Sequence, residues 1–395
     1  MSDEPQTTRI FISAAEQSAD EHAAGLIRAA GEQIGNVSFV GLAGPAMQDA
    51  GCEAIHDMTT RSAMAGAVVW RIPEAIGVLR SVKRLLSSNR FDAAVVVDSP
   101  TLNLPIARLC RQFAVPVLYY IAPQTWAWAE WRNRRIRRRV DRMACIWPFE
   151  ESYFRSFGIP ARYVGHPSFD RFIAHPGDDA EVARLRRTQG PLITILPGSR
   201  RHVVREVLPG QLEVARSLAA RFKNARFLIV PANAEVRVLI RDLVGQCGAD
   251  LRISYSDGPQ GRATAIRAAT LVLVASGTVT LEVAYHATPM IVMYNANRWL
   301  YRLLGRWLIS TPHLAIPNIL AGRRIVPEFM PYYKSVDPII AQASEWISTP
   351  SSLARVRAEL RAAVDPIVKP GAAASAAREL SGLLRDRGRH ASFPL

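Results

Sequence analysis

Three short stretches of this 395-residue chain carry side chains suited to holding an anion and moving a proton. The first is Leu273-Val274-Ala275-Ser276-Gly277-Thr278-Val279-Thr280-Leu281-Glu282. It reads as a buried strand, a tight Ser276-Gly277-Thr278 turn and a helix start with a carboxylate one turn in. Such a turn aims backbone N–H groups and a hydroxyl at an anion, and the helix dipole favours negative charge there. Glu282, four residues further on, is placed to accept hydrogen bonds from a sugar's hydroxyl pair, so the stretch fits a nucleotide-sugar diphosphate. The second is Leu196-Pro197-Gly198-Ser199-Arg200. Gly198 lets backbone approach a phosphate closely, Ser199 adds a hydroxyl, and Arg200 offers a planar donor fork. The third is Asp98-Ser99-Pro100-Thr101-Leu102-Asn103, after the apolar run Ala93–Val97. A carboxylate ending such a run is costly to bury unless it is paired or working. It reads as a general base that takes a proton from an acceptor hydroxyl; a helix cap is the competing reading.

Weaker candidates accompany these. Glu16, Ser18 and Asp20 cluster after the first apolar run; capping by Ser18, with Asp20 in the first helical turn, accounts for them as well as substrate contact does. Asn318 in Ile316-Pro317-Asn318 is a turn former or a hydrogen-bonding group for a base or sugar. Trp126 and Trp128 precede Arg132, Arg134, Arg135, Arg137, Arg138, Arg139 and Arg142. Nucleic acid, an acyl-sugar groove, an anionic bilayer and a plain solvated face all remain open for that run. In Asn297–Ile309, Arg298, Arg302 and Arg306 recur every four residues beside Trp299 and Trp307, as on an interfacial helix or a core helix with one solvated side.

The elements that must position these residues alternate along the chain. Strands are expected at Arg9–Ser13, Val37–Val40, Ala93–Asp98, Pro116–Ile121 and Arg142–Ile146, with helices at Asp20–Gly31 and Leu102–Phe113. Asp170–Gly190 is polar and charged and reads as a linker. A second series then opens, with strands Pro191–Leu196, Arg226–Val230, Leu251–Tyr255, Leu271–Ala275 and Met290–Tyr294. Helices Val203–Ala220, Ala234–Gly245, Ala263–Ala268 and Val279–Tyr285 lie between them. Alternation of this kind means parallel sheets covered by helices on both faces, and two such doubly wound units in tandem. Ligands of open α/β sheets bind outside the carboxyl ends of the strands, where the three opening stretches fall. The expected domains are 1–175, 176–340 and, from 341 to 395, Ala/Arg-rich helices packing across both.

The charge balance, 49 Lys and Arg against 34 Asp and Glu, gives a net +15 and points to phosphate-bearing partners. Cys52, Cys110, Cys145 and Cys247 show no C-x-x-C spacing, so neither a zinc site nor a disulfide framework is expected. Met1–Thr8 lacks an apolar signal region, and no run reaches the length of a transmembrane helix, so a cytosolic protein able to touch a membrane surface is expected.

Taken together, the motifs resemble the lipid-A-disaccharide synthase family. The matching stretches are Phe39-Val40-Gly41-Leu42-Ala43-Gly44-Pro45 with Met47, Gly51-Cys52-Glu53, Pro123 with Trp126-Ala127-Trp128, Pro148-Phe149-Glu150 and Gly165-His166-Pro167. Pro197-Gly198-Ser199-Arg200, Ala275-Ser276-Gly277-Thr278 with Glu282, and Pro317-Asn318-Ile319-Leu320-Ala321-Gly322-Arg323 complete the set, which runs in order from about residue 9 to 330. The resemblance implies a GT-B glycosyltransferase, with two Rossmann-like domains facing a central cleft. It implies an inverting, metal-independent transfer, without cofactor, from UDP-2,3-diacylglucosamine to 2,3-diacylglucosamine 1-phosphate, giving a β-1,6 disaccharide phosphate and UDP. Asp98 matches the family's catalytic aspartate and Arg200 its essential arginine. Gly198, Ser199, Ser276, Gly277, Thr278, Glu282 and Asn318 would bind donor; Glu16, Ser18, Asp20 and Asn103 would lie on the acceptor side. The implied setting is the inner face of the cytoplasmic membrane, with Trp/Arg segments against anionic lipid, no nucleic-acid partner, and room for a homodimer. Transfer to another lipid-linked acceptor, or a non-catalytic paralogue, are the alternatives. The chain departs from the family at Ala15 and Ala19, where the family has glycines, and at Thr101, where it has an aspartate. It also departs near Val68 and at Pro331, which stand where a glutamate and a glutamine are usual. Alanine tolerates positive φ poorly, so the loop after the first strand is expected to close differently, and the donor half is better matched than the acceptor half.

Overall fold

Runs such as Ala93–Val97, Leu192–Leu196 and Leu271–Ala275 are buried along their whole length. They need cover on both faces, which a parallel sheet sandwiched by helices supplies. The single polar residue among them, Thr194, donates its hydroxyl to the Ala265 carbonyl at 2.8 Å. The computed structural model describes residues 7–56, 72–127, 129–247, 251–295 and 312–391. Val68 and its neighbours, Trp128 and the Trp/Arg stretch 297–309 lie outside the described residues.

The chain divides into two units. The first comprises Met1–Asp170 and Lys369–Leu395, the second Arg171–Val368. Unit 1 contains β1 (Thr8–Ala14), β2 (Val37–Leu42), β3 (Cys52–His56), β4 (Ala93–Val97), β5 (Val117–Tyr120), β6 (Arg142–Cys145) and β7 (Ala161–Tyr163). They form one parallel sheet in the order β3-β2-β1-β4-β5-β6-β7. Unit 2 contains β8 (Leu192–Leu196), β9 (Arg226–Ile229), β10 (Ile253–Tyr255), β11 (Leu271–Ala275), β12 (Met290–Met293) and β13 (Glu328–Phe329). Their order, again parallel, is β10-β9-β8-β11-β12-β13. In each sheet the winding direction reverses once, between β1 and β4 and between β8 and β11. At these switch points Ala14 pairs with Val97, and Leu196 with Val274. The loops after β1 and β4 are therefore neighbours, as are the loops after β8 and β11.

The stretch expected as a linker is helical on both sides of the unit boundary, with helices Pro167–Ala174 and Asp179–Arg187. The second buries only Val182, so it carries almost no apolar stripe to read. What starts it is Asp178, whose side chain accepts from the Ala180 and Glu181 amides at 2.9 and 3.1 Å. The C-terminal helices do not form one group. Asp337–Ser348 and Pro350–Val364 belong to unit 2, whereas Ala372–Ala391 returns to unit 1 and packs along the helix Gln17–Ile34. Asp170 fixes that return by accepting from the Gly371 and Ala372 amides at 2.6 and 3.1 Å, and Arg142 pairs with Glu379 at 3.1 Å. None of the described helices is long and apolar enough to cross a membrane.

Candidate functional site

In unit 1 the switch point carries Asp98. β4 delivers it to the carboxyl edge of the sheet, and its own amide donates to Tyr120 O at 3.0 Å. Asp98 and Ser99 both take left-handed backbone, with φ of 51° and 42°. For side chains other than glycine each such residue costs about 1–3 kcal/mol, a cost typical of sites where geometry is fixed for function. Pro100 then begins the helix Pro100–Gln112. Burial raises the Asp98 carboxyl above its ordinary value; a hydrogen bond from the Ser99 backbone opposes this, and the charge of Glu16 adds to the rise. A carboxylate of raised pKa is a stronger base once ionised, the property a proton acceptor needs.

Glu16 and Ser18 are exposed at the start of the helix Gln17–Ile34. The N-cap position is Glu16, not Ser18, and its side chain makes no capping bond. Asp20 faces the other way. It is buried, and its carboxylate accepts from the amides of Gly44 (2.9 Å), Ala46 (2.9 Å) and Met47 (3.2 Å). It thus caps the short helix Pro45–Asp49 and ties the Glu16-to-Asp20 stretch to the Gly44-Pro45 motif. Asn103 is fully buried too: its Oδ1 accepts from Ser13 Oγ at 2.7 Å, and its Nδ2 donates to the carbonyls of Val97 and Asp98, both at 2.8 Å. Of the four residues expected on the acceptor side, only Glu16 and Ser18 present their side chains to solvent. Neither Ala15 nor Ala19 has positive φ, and Ala19 is buried within the helix. The loop expected to close differently therefore makes no demand that alanine fails to meet.

Two further motif pairs are stitched inside unit 1. Trp126 Nε1 donates to Glu150 at 2.9 Å while its ring meets Phe149 edge-on at 5.0 Å. Glu150 also accepts from the Ile146 and Trp147 amides at 3.1 Å each, and burial pushes its carboxyl up to about 7. The His166 ring lies 4.7 Å from that of Trp147 and its Nδ1 accepts from the Ser168 amide. The basic run after Trp126 is largely solvated. Trp131 is 58% exposed, with the Arg132 and Arg135 guanidinium groups 5.4 and 5.0 Å from its ring.

Unit 2 presents two loops at its switch point. Gly198 has φ +113°, and a Cβ there would stand 2.7 Å from Val203 Cγ1, so only glycine fits between the loop and the helix Arg201–Arg221. Ser199 and Arg200 follow, both exposed. The Arg200 charge opposes the rise that burial and Glu206 impose on the hydroxyl of Tyr294, the residue after β12. In the adjacent loop Gly277 and Thr278 are exposed and Ser276 is half-buried. The Gly277 carbonyl accepts from the Thr280 amide (3.0 Å) and hydroxyl (2.8 Å), which closes the turn.

Glu282 lies behind that turn, on the seven-residue helix Val279–Tyr285, and is buried. Both of its oxygens accept from Arg262 Nε, at 2.9 and 2.8 Å. Sequence reasoning missed Arg262: it stands 20 residues upstream on the helix Gly258–Ala268, and no local pattern links it to Glu282. Asn318 is fully buried, and its side chain bonds to the chain's own backbone. Its Oδ1 accepts from the Ile325 and Val326 amides at 2.7 and 2.9 Å, and its Nδ2 donates to Val326 O at 2.9 Å. Its work in this structure is to hold the 325–326 backbone. Among the described residues, no group of three or more His, Cys, Asp or Glu side chains is arranged to hold a metal ion.

Comparison with known proteins matches this picture. The family model for lipid-A-disaccharide synthetase matches residues 10–365. The lipid-A-disaccharide synthase of Geobacter sulfurreducens is 35% identical over 358 residues, 89% of this chain and 91% of that protein. Among solved structures, a putative UDP-N-acetylglucosamine 2-epimerase from Listeria monocytogenes superposes with a TM-score of 0.65 at 13% identity, covering 97% of both chains. The S. aureus MnaA–UDP complex gives 0.63 at 10% identity, also covering 97% of both. These last two likenesses concern the fold, two Rossmann-like parallel sheets of the GT-B class. The family match spans both units and includes the Asp98, Arg200, Ser276–Thr278 and Glu282 stretches, so the chain belongs to the lipid-A-disaccharide synthetase family of glycosyltransferases.

Proposed function

We propose that this glycosyltransferase joins UDP-2,3-diacylglucosamine to 2,3-diacylglucosamine 1-phosphate in one in-line displacement, with Asp98 as the base. The acceptor hydroxyl oxygen forms the new bond to the anomeric carbon. The bond from that carbon to the diphosphate breaks, and its electron pair leaves with UDP. The hydroxyl proton passes to the Asp98 carboxylate. Arg200 and the N–H groups of the Ser276-Gly277-Thr278 turn offset the charge that builds on the departing diphosphate. Glu282, aimed by Arg262, accepts from the ribose hydroxyls.

The observation that carries this reading is the placement of Asp98. It stands at the switch point of its sheet on a left-handed turn, with a carboxyl raised by burial and by Glu16. In unit 2 the exposed residues Ser199, Arg200, Gly277 and Thr278 occupy the corresponding position, in the loops after β8 and β11. The exposed Trp131, flanked by Arg132 and Arg135, supports a resting place on an anionic lipid surface, where an indole sits at the headgroup level and guanidinium groups meet phosphates.

The test is UDP release from UDP-2,3-diacylglucosamine with and without 2,3-diacylglucosamine 1-phosphate. Release that depends on this acceptor, and that Asp98→Asn abolishes while UDP binding persists, is the expected result. Release only with a different acceptor would overturn the substrate assignment, and near-normal turnover by Asp98→Asn would remove Asp98 as the base.

A further inference from the structure

The turn that carries Asp98 is held from behind. Asp98 and Ser99 are consecutive left-handed residues, neither of them glycine, so the pair persists only if its surroundings hold it. What holds it is the main-chain carbonyl of Asp98. Two side-chain donors converge on that oxygen: Asn103 Nδ2 at 2.8 Å and Tyr119 Oη at 2.7 Å. Asn103 is itself oriented from both ends, by Ser13 Oγ at 2.7 Å and by its second bond to Val97 O at 2.8 Å. Ser13, Asn103 and Tyr119 are all fully buried. The network thus reaches the turn from three directions: β1, β5 and the helix Pro100–Gln112.

The neighbouring Tyr120 supplies a contrast. It is as deeply buried as Tyr119, yet its hydroxyl has no hydrogen-bond partner among the described residues. Packing on this strand therefore does not call for a bonded hydroxyl, and the Tyr119 hydroxyl is distinguished by where it points.

We infer that Tyr119 and Asn103 are positioning residues for the transfer reaction: by gripping the Asp98 carbonyl they fix the turn, and with it the place where the Asp98 carboxylate stands. The inference rests on Asp98 being the base. Neither residue touches substrate. Each acts through the backbone of Asp98, and a small displacement of a base from its working distance is enough to slow a proton transfer.

The experiment compares Tyr119→Phe, Tyr120→Phe and Asp98→Asn in the full chain. Steady-state rates of UDP release are measured across pH and normalised to active sites. Tyr119→Phe keeps the ring and removes only the oxygen. Its kcat should fall roughly ten-fold while KM for the donor stays within about two-fold. The acidic limb of its pH profile should move to lower pH, because a loosened turn lets water reach the carboxyl. Tyr120→Phe should keep the kcat and the limb of the parent. Ser13→Ala, which frees Asn103 from one end, should shift kcat and limb in the same direction as Tyr119→Phe but by less. A Tyr119→Phe enzyme with the parent's kcat and limb would overturn the inference. So would a loss shared equally with Tyr120→Phe, or a lowered melting temperature with the limb unmoved, since those are signs of a packing role only. Full activity in Asp98→Asn would instead sink the assignment of the base, and the two failures are distinct.

Discussion

Replacing Arg262 with methionine should be among the most damaging single changes in unit 2, although Arg262 lies on a helix remote in sequence from every motif. Its side chain is 19% exposed and that of Glu282 only 5%. Losing the arginine strands the more buried partner as an uncompensated charge, which costs about 3–5 kcal/mol. The partial exposure of Arg262 favours the lower end, about 3 kcal/mol. For a unit of this size that lowers the unfolding midpoint by roughly 10 °C. Glu282→Leu should cost less, since the freed arginine can extend its head toward water. The double variant Arg262→Met with Glu282→Leu should recover to within about 1 kcal/mol of the parent, because an apolar pair often replaces a buried ion pair without loss. Function should separate from stability: UDP affinity should drop in all three variants, including the stable double one. Urea unfolding followed by circular dichroism, together with calorimetric titration of UDP, supplies both readouts. An Arg262→Met protein within about 0.5 kcal/mol of the parent would refute the argument that Arg262 compensates a buried charge. Undiminished UDP binding by the double variant would refute the role given to Glu282.

Two other outcomes are expected. The Glu150 carboxyl goes from 4.5 to about 7 on burial, so it favours the folded state while protonated. That contribution is fully present below about pH 4.5 and lost as pH rises through about 7, a change of about 3 kcal/mol. The stability of the parent minus that of Glu150→Gln, measured by urea unfolding from pH 4 to 8, should fall by that order; a flat difference would mean that Glu150 keeps one charge state throughout. Gly198→Ala places a methyl 2.7 Å from Val203 Cγ1 on a backbone of φ +113°, so the loop must shift. UDP affinity should weaken ten-fold or more while unit 1 is untouched, and calorimetry that finds the parent's affinity would show that this loop does not approach the diphosphate.

Several features of the site were readable from the chain because they are local. Strongly apolar runs that give way to Asp98, Pro197 and Ser276 mark strands whose next residues must leave the sheet, and that alone puts these loops at the carboxyl edges. Elements with mixed sequences were not readable: β3 carries a glutamate and a histidine in five residues, and Asp179–Arg187 buries a single side chain. The chain alone marks Asn318 as a donor-binding group, and Asp20 and Asn103 as acceptor-side residues. In the fold these side chains are spent on backbone groups that lie far from them in the chain or turn back upon it.

The sequence by itself determined two parallel α/β units, where their chemical loops emerge, and the family those loops belong to. It could do so because strand burial, glycine turns and strand-end polar residues are properties of neighbours along the chain. Only the tertiary structure decided which polar residues remain available for a substrate. Asp20 pairs with the start of a short helix, and Asn103 and Tyr119 with one carbonyl, while Arg262 orients Glu282 and the residues Arg200 and Thr278 are exposed. The reason is physical. A buried polar atom must find a partner wherever the fold brings one, and that partner is chosen by distance in space, which spacing in sequence does not encode.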